Sequence, residues 1–225
     1  MGKKNLALLL SMLLCAFVPI HSYETGAASA ARFVYILPDD GGKDATFVAF
    51  RARLIEAVQK RDRAFIESIL HPNVLTGLGG GTGKKNFLAQ YSLKPEDPFW
   101  KKLERVLAHG AQFDKEEKAF NAPALSFADS HDDLPQGIVW NKAAEIHKAP
   151  EDGSPVLQTL YAEQLTIVNP PAPEPVTKPW IKVLSREGTH GYMKSSDVYS
   201  QYDEFATFKK DHQKWCLSWF GVAGL

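Results

Sequence analysis

The feature that most limits the fold of this chain is a change in hydrophobic periodicity near Phe120. Before that residue, apolar side chains recur every three or four positions, which is the spacing of an amphipathic helix. From Gly137 onward, short apolar runs alternate with turn residues, which is typical of β-strands. The sequence therefore predicts an α+β protein in which an α-rich N-terminal module, residues 31–121, precedes a β-rich region.

Three helices are predicted in the N-terminal module. The first has an apolar stripe of four residues: Phe47, Phe50, Leu54 and Val58. Asp62 is placed to cap a second, short helix that ends before Pro72. A third helix is expected from Asp97-Pro98 to Gly110, because an acceptor and a proline favour a helix start and a glycine favours its end. Helices this short need tertiary packing to be stable.

The first thirty residues have the layout of a secretory signal peptide. Lys3 and Lys4 precede an apolar run over residues 6–18, and small residues lead to Ala30, after which we expect cleavage. The apolar run is shorter than the ~20 residues that a membrane-spanning helix needs. We therefore expect a periplasmic or secreted protein with no membrane span after cleavage. The alternative is lipid attachment at Cys15, although Leu14 stands where such motifs have a small residue.

Charge and cysteine content exclude several classes of function. Lys plus Arg is 26 and Asp plus Glu is 26, so there is no net charge to attract nucleic acid. The chain has 2 cysteines, too few for a disulfide scaffold or for a metal site with four thiolate ligands. Removal of Cys15 with the signal peptide leaves Cys216, which we expect to be a core thiol in an apolar strand. We expect no cofactor, no metal and no catalytic motif.

Five short segments after Gly137 have a characteristic order and spacing. They lie at residues 143–150, 153–157, 165–168, 180–183 and 188–193. This arrangement, over residues 137–199, resembles the bacterial SH3-like (Src-homology-3-like) domains. The sequence departs from that family at Glu145-Ile146-His147, where an Asn-Val-Arg stretch is usual. A proline-rich insertion at residues 170–175 also lengthens the connection before Trp180.

The resemblance implies a small β-barrel that binds a ligand without catalysis. Its inward residues are expected to be Ile146, Val156, Leu160, Ile167, Ile181, Val183 and Tyr192. Members of the family usually bind peptides, peptidoglycan or partner proteins of the cell envelope. The candidate ligand contacts here are Trp140, His147, Tyr161, Trp180 and Tyr192. Trp140 and Trp180 could equally belong to the core.

A glycine-rich loop at residues 77–83 suggests a second interpretation. Its glycines do not have the spacing of a phosphate-binding loop, because Leu78 and Lys85 occupy positions that need glycine and a hydroxyl. Glycines do let a ligand approach the backbone closely. The alternative function is therefore a small-molecule or enzymatic pocket in the N-terminal module, beside this loop.

The remaining segments connect or extend these two modules. Residues 122–136 are expected to form a linker, in which His131 lies among carboxylates and could act as a base or a metal ligand. Residues 200–225 alternate like a β-hairpin. The hairpin and the helices at residues 50–70 weakly resemble parts of the nuclear-transport-factor-2-like fold. The hairpin could thus pack on either module.

Overall fold

Two sheets and four helices make up the part of the chain that the structure describes. The structure is a computed structural model and describes residues 36–77, 80–126, 136–140, 143–168 and 178–222. The helices are α1 (Ala45–Lys60), α2 (Arg63–Ile69), α3 (Lys84–Gln90) and α4 (Phe99–Leu107). The strands are β1 (Leu70–Leu75), β2 (Gln112–Asp114), β3 (Ala119–Ala122), β4 (Gln136–Val139), β5 (Ala144–His147), β6 (Val156–Leu160), β7 (Gln164–Ile167), β8 (Trp180–Leu184), β9 (His190–Lys194), β10 (Val198–Ser200), β11 (Glu204–Asp211) and β12 (Lys214–Val222). All described residues fall within one compact unit.

Side-chain caps determine where the first two helices begin. The Asp44 carboxylate accepts hydrogen bonds from the backbone N–H groups of Thr46 and Phe47, at 2.8 and 3.0 Å. Asp62 accepts one from the N–H of Phe65 at 3.0 Å, so the cap expected at Asp62 is present. Each carboxylate satisfies N–H groups that have no partner within the helix.

The first sheet has five strands in the order β1-β12-β11-β3-β2. β1 and β12 are parallel, and the other pairs are antiparallel. β12 therefore lies inside the sheet between β1 and β11, although it comes last in the chain. The C-terminal hairpin, whose position the sequence left open, belongs to this sheet and pairs with β1 and β3.

Aromatic side chains fill the core between the helices and one face of this sheet. Phe47 of α1 stacks on Phe120 of β3, with ring centroids 3.8 Å apart. Phe99 of α4 contacts Phe220 of β12 edge to face, at 5.0 Å. All four rings are almost completely buried. The helices are therefore held on the sheet by ring packing.

The prediction of an α-rich N-terminal module followed by a small barrel is wrong. Strands account for 38% of the described residues and helices for 28%, and the strands form two large sheets. The predicted helices are real, but they cover a sheet in which two of the three inner strands come from residues 204–222. Helical periodicity is a local signal, whereas this sheet is completed by strands far away in sequence. The sequence pattern therefore predicted the helices but not the sheet beneath them.

The second sheet has seven strands in the order β10-β4-β7-β8-β9-β5-β6. All of its pairs are antiparallel. Its buried core consists of aliphatic residues and one methionine: Val139, Ala144, Ile146, Leu160, Leu165, Ile167, Ile181, Val183, Met193 and Val198. Ring side chains are absent from this cluster of described residues.

Two residues expected in this core lie outside it. Val156 is 47% exposed and Tyr192 is half-buried. The cause for Val156 is a register shift between β5 and β6, which places it opposite His147. A bulge changes which side chains face inward, so strict alternation fails there. Tyr192 lies opposite both His147 and Lys182, on the side of the sheet that is not the core.

An inter-sheet cluster of aromatic and charged residues connects α4 to the second sheet. It consists of Arg105, His109, Trp140, Tyr199 and Asp203. Arg105 pairs with Asp203 at 3.0 Å and donates to the backbone oxygen of Val198. Its guanidinium also lies 4.8 Å from the Trp140 ring and 5.1 Å from the Tyr199 ring. The cluster fixes the helix-covered sheet against the second sheet.

Candidate functional site

Three of the five predicted ligand contacts lie on one outer face of the second sheet. His147 of β5 is opposite Tyr192 of β9, and Trp180 of β8 is opposite Lys194 of β9. Directly opposite residues share a face, and residues two apart in a strand also share it. We call this surface, made of Glu145, His147, Trp180, Tyr192 and Lys194, the aromatic face. It forms because each strand alternates these residues with aliphatic core residues.

His147 is held in a defined orientation within this face. Its Nδ1 lies 3.0 Å from the backbone oxygen of Ser154, and because a carbonyl only accepts, Nδ1 carries the proton. Its Nε2 lies 3.4 Å from a carboxylate oxygen of Glu145. The imidazole meets the Trp180 ring edge to face, with 5.1 Å between centroids. His147 is thus positioned by contacts on three sides.

Lys194 joins the aromatic face to an open pocket beside it. Its ammonium lies 5.5 Å from the centroid of the Trp180 ring and 2.6 Å from the Asp152 carboxylate. The hydrogen bond to Asp152 raises the pKa of Lys194 above its ordinary value, so the group stays charged. A cation on an aromatic ring is a geometry that a ligand cation can share or replace.

The pocket is small and its charged lining is mostly acidic. It has a volume of ≈ 380 Å³. Its lining residues are Ala143, Ala144, Glu145, His147, Asp152, Gly153, Thr159, Lys194 and Asp197. Three of these are carboxylates and one is a lysine. We call it the acidic pocket, and its charge favours a ligand with a cationic group.

An exposed edge strand borders the acidic pocket. β6 lies at the end of the sheet and, among the described strands, it pairs with β5 alone. Val156 and Leu157 on it are each 47% exposed. An edge strand with exposed apolar side chains is a template for pairing with another extended chain. Thr159 belongs to both β6 and the pocket lining, so the edge and the pocket are continuous.

The other two predicted contacts lie apart from this arrangement. Trp140 belongs to the inter-sheet cluster, where its ring centroid is 3.9 Å from that of His109. Its indole N–H donates to the backbone oxygen of Ser196 at 2.7 Å. Tyr161 follows β6 and is 55% exposed, but it does not line the acidic pocket. The structure therefore groups His147, Trp180 and Tyr192 without these two residues.

Sequence reasoning missed the charged residues of the site. Glu145 and Lys194 lie two positions from His147 and Tyr192, so strand alternation places them on the same face. That spacing was a usable signal. Asp152 and Asp197 come from connecting segments and meet the face only because the strands pair as they do.

The described residues of the glycine-rich loop pack against their own backbone. A Cβ on Gly80 would lie 1.8 Å from the backbone oxygen of Thr76. Gly77 has φ +69° and lies against the backbone of β12. The N–H of Gly83 donates to the backbone oxygen of Val74 at 2.7 Å. The loop therefore needs its glycines to fold tightly, and none of its described residues lines the acidic pocket or the recess between α1 and α2.

Cys216 and the cluster around His131 were also named as candidates from the sequence. Cys216 is half-buried on β12 and is not a member of the buried core cluster. Burial raises the pKa of its thiol. The cluster around His131 lies outside the described residues, as do the signal segment and the proline-rich insertion. Among the described residues, no group of three or more His, Cys, Asp or Glu side chains is arranged to hold a metal ion.

None of the helices in the described segments is long and apolar enough to cross a membrane.

Comparison of the chain with known protein families found no match, and a search of curated proteins also found none. Inferences about function therefore depend on the geometry of these sites.

Proposed function

We propose that this is an exported, non-catalytic binding protein of the cell envelope that recognises a peptide through the aromatic face and the acidic pocket. The observation that carries the proposal is that β6, which pairs on one side only among the described strands, borders a pocket lined by three carboxylates, with the aromatic face beside it. Peptide recognition commonly combines backbone pairing to a sheet edge with a pocket for one side chain. The peptide part of peptidoglycan and a segment of a partner protein both offer this chemistry.

The charge of the pocket favours a peptide with a primary amine. Glu145, Asp152 and Asp197 outnumber Lys194, so an incoming ammonium gains more attraction than repulsion. Trp180 offers a ring face to the same ammonium. A ligand amine would compete with Lys194 for the Asp152 carboxylate and the Trp180 ring.

The test is calorimetric titration of the purified protein with short peptides. We expect a lysine-containing extended peptide to bind with a dissociation constant on the order of 10 to 100 µM, and its glutamate-containing counterpart to bind at least about tenfold more weakly. Soluble peptidoglycan fragments with and without a free amine form a second series. Trp180→Ala and Glu145→Gln are each expected to weaken binding about tenfold.

Glu151→Gln is the matched control for Glu145→Gln. Glu151 is an exposed neighbour of Asp152 that does not line the pocket. Its substitution should leave the affinity unchanged. Equal affinity for lysine and glutamate peptides, or equal effects of the two Glu→Gln substitutions, would show that this face is not the recognition site.

A further inference from the structure

A second recess lies at the other sheet, between α1, α2 and the turn that joins β11 to β12. Its volume is ≈ 550 Å³, within the range of sites that hold small molecules. The residues that line it are Thr46, Ala49, Phe50, Arg53, Phe65, Ser68, Ile69, Gln213, Lys214, Trp215 and Cys216. We call it the basic groove.

Three aromatic side chains line the basic groove. Phe50 and Phe65 are half-buried, and Trp215 is almost fully buried. The Trp215 indole N–H donates to the Thr46 hydroxyl at 3.0 Å, so its polar atom is already satisfied. What these rings offer a ligand is therefore apolar surface.

Both charged residues that line the groove are cationic. They are Arg53 and Lys214, and the lining contains no carboxylate. The Arg53 guanidinium lies over the Phe65 ring at 5.3 Å, which leaves its N–H groups available at the edge of the apolar wall. Neither Arg53 nor Lys214 takes part in the salt bridges formed among the described residues.

Three of the acidic residues around the groove are paired with other cations. Glu56 pairs with Lys60 at 2.5 Å, and Glu67 pairs with Arg63 at 2.6 Å. Asp44 lies 3.5 Å from Lys210. These pairs partly neutralise the nearby carboxylates. Asp211 lies opposite Lys214 in the hairpin and 3.6 Å from His212, and it is not part of the lining. The lining itself therefore contributes two positive charges and no negative charge.

The turn at one end of the groove has an uncommon backbone. His212 and Gln213 have φ values of 44° and 67° without being glycine. Two-residue hairpin turns with positive φ at both positions favour Asn-Gly or similar pairs. This turn presents Gln213 and Lys214 to the groove, and its positive φ values at two residues other than glycine carry a conformational cost.

We propose that the basic groove binds a small amphipathic anion, with an apolar chain against Phe50, Phe65 and Trp215 and a carboxylate between Arg53 and Lys214. Charge complementarity and the aromatic walls together select this class of ligand. The site is separate from the peptide-binding face and does not depend on it.

The experiment uses three ligands with the same ten-carbon chain. They are decanoate, decanol and decyltrimethylammonium, each titrated calorimetrically into the purified protein below its micelle concentration. We expect decanoate to bind with a dissociation constant on the order of tens of micromolar. Decanol should bind about tenfold more weakly, because it lacks the charge, and the cation should not bind.

Substitutions test where the anion lies. Arg53→Gln and Lys214→Gln are each expected to weaken decanoate about three- to tenfold, and Arg53→Glu combined with Lys214→Glu to reverse the preference toward the cation. Both residues are exposed, so the variants should fold. The matched control is Lys101→Gln, an exposed lysine of α4 outside the groove, which should change nothing.

Two further measurements decide the site and the source of the ligand. The nuclear magnetic resonance signal of the Trp215 indole N–H should shift on adding decanoate, while that of Trp180 stays in place. Equal affinity for the three ligands, or an unmoved Trp215 signal, would overturn the proposal. Binding to anionic phospholipid vesicles that decanoate does not displace would also overturn it, because the occupant would then be a membrane surface.

Discussion

The two sheets use aromatic residues in opposite ways. In the five-stranded sheet, rings such as Phe47, Phe99 and Phe220 are buried between the sheet and its helices. In the seven-stranded sheet, the core cluster is aliphatic except for Met193, and His147 and Trp180 lie on the outer face. The buried ring of this sheet is Tyr199, which belongs to the inter-sheet cluster. The side chains of this core cluster are almost completely buried without a ring among them. The rings of His147 and Trp180 are therefore available as a recognition surface.

The two recesses differ in charge in a corresponding way. The acidic pocket on the seven-stranded sheet is lined by three carboxylates. The basic groove beside the five-stranded sheet is lined by two cationic side chains and no carboxylate. Because the whole chain has equal numbers of acidic and basic residues, this polarity is local. Net charge therefore says nothing about either recess.

The most direct way to break the comparison between the sheets is to remove a ring from each. Phe99→Ala should lower the free energy of unfolding by about 4 kcal/mol, because it leaves a cavity among Phe87, Tyr91 and Phe220. Trp180→Ala should lower it by no more than about 1 kcal/mol. Urea denaturation of both variants measures the difference. Similar losses would mean that the outer ring is as structural as the inner one.

The next effect concerns the contact between the two sheets. Arg105→Met removes the partner of Asp203, a carboxylate that is buried and whose pKa is raised by that burial. We expect a loss of about 3 kcal/mol, because one charge is left without compensation. Asp203→Leu in the same chain should recover much of it. If the two substitutions have additive effects in a double-mutant cycle, the pair does not couple the sheets.

A smaller effect is expected at the start of α1, on the helix-covered sheet. Asp44→Ala should cost about 1 kcal/mol at neutral pH, because it removes the helix cap. The hydrogen bond from the Thr46 hydroxyl contributes most to lowering the Asp44 pKa from 3.8 to about 2.

The sign of the pH dependence follows from that lowered pKa. A carboxylate with a lower pKa in the folded state stabilises the protein above pH 4, and this contribution is lost as the pH falls toward 2. The difference in stability between the wild type and Asp44→Ala should therefore shrink over that interval in thermal unfolding experiments. A constant difference would rule out a role for the charge of Asp44.

The smallest effect is a pH dependence at the inter-sheet cluster. Burial, followed by the nearby charge of Arg105, lowers the pKa of His109 below 6.5. The unfolded chain then binds the proton more readily, so stability is lost as the pH falls below 6.5. His109→Phe keeps a ring against Trp140 and should lose less stability than the wild type between pH 7 and 5. Parallel curves would place His109 outside the pH response, with Asp203 as the next group to test.

A feature of the fold or of the candidate site could be predicted from the sequence when the residues that determine it are close together in the chain. α1 and α2 were predictable because their apolar stripes and the cap at Asp62 are local. The five-stranded sheet was not, because β1 has Pro72 in a short run and pairs with β12, near the other end of the chain. His147 and Trp180 could be named from strand alternation. Val156 was placed wrongly because the register shift in β6 has no signature in composition.

The position of β12 has a consequence for how the chain folds during synthesis. A ribosome makes β1 and all four helices long before residues 214–222, yet β12 lies between β1 and β11. Phe220, on that strand, fills the space beside Phe99 and Tyr91. The helices therefore have no complete surface to pack on until the last strand emerges, and contacts this distant in sequence form slowly. The apolar surface of these helices therefore stays uncovered on the nascent chain until residues 214–222 have been synthesised.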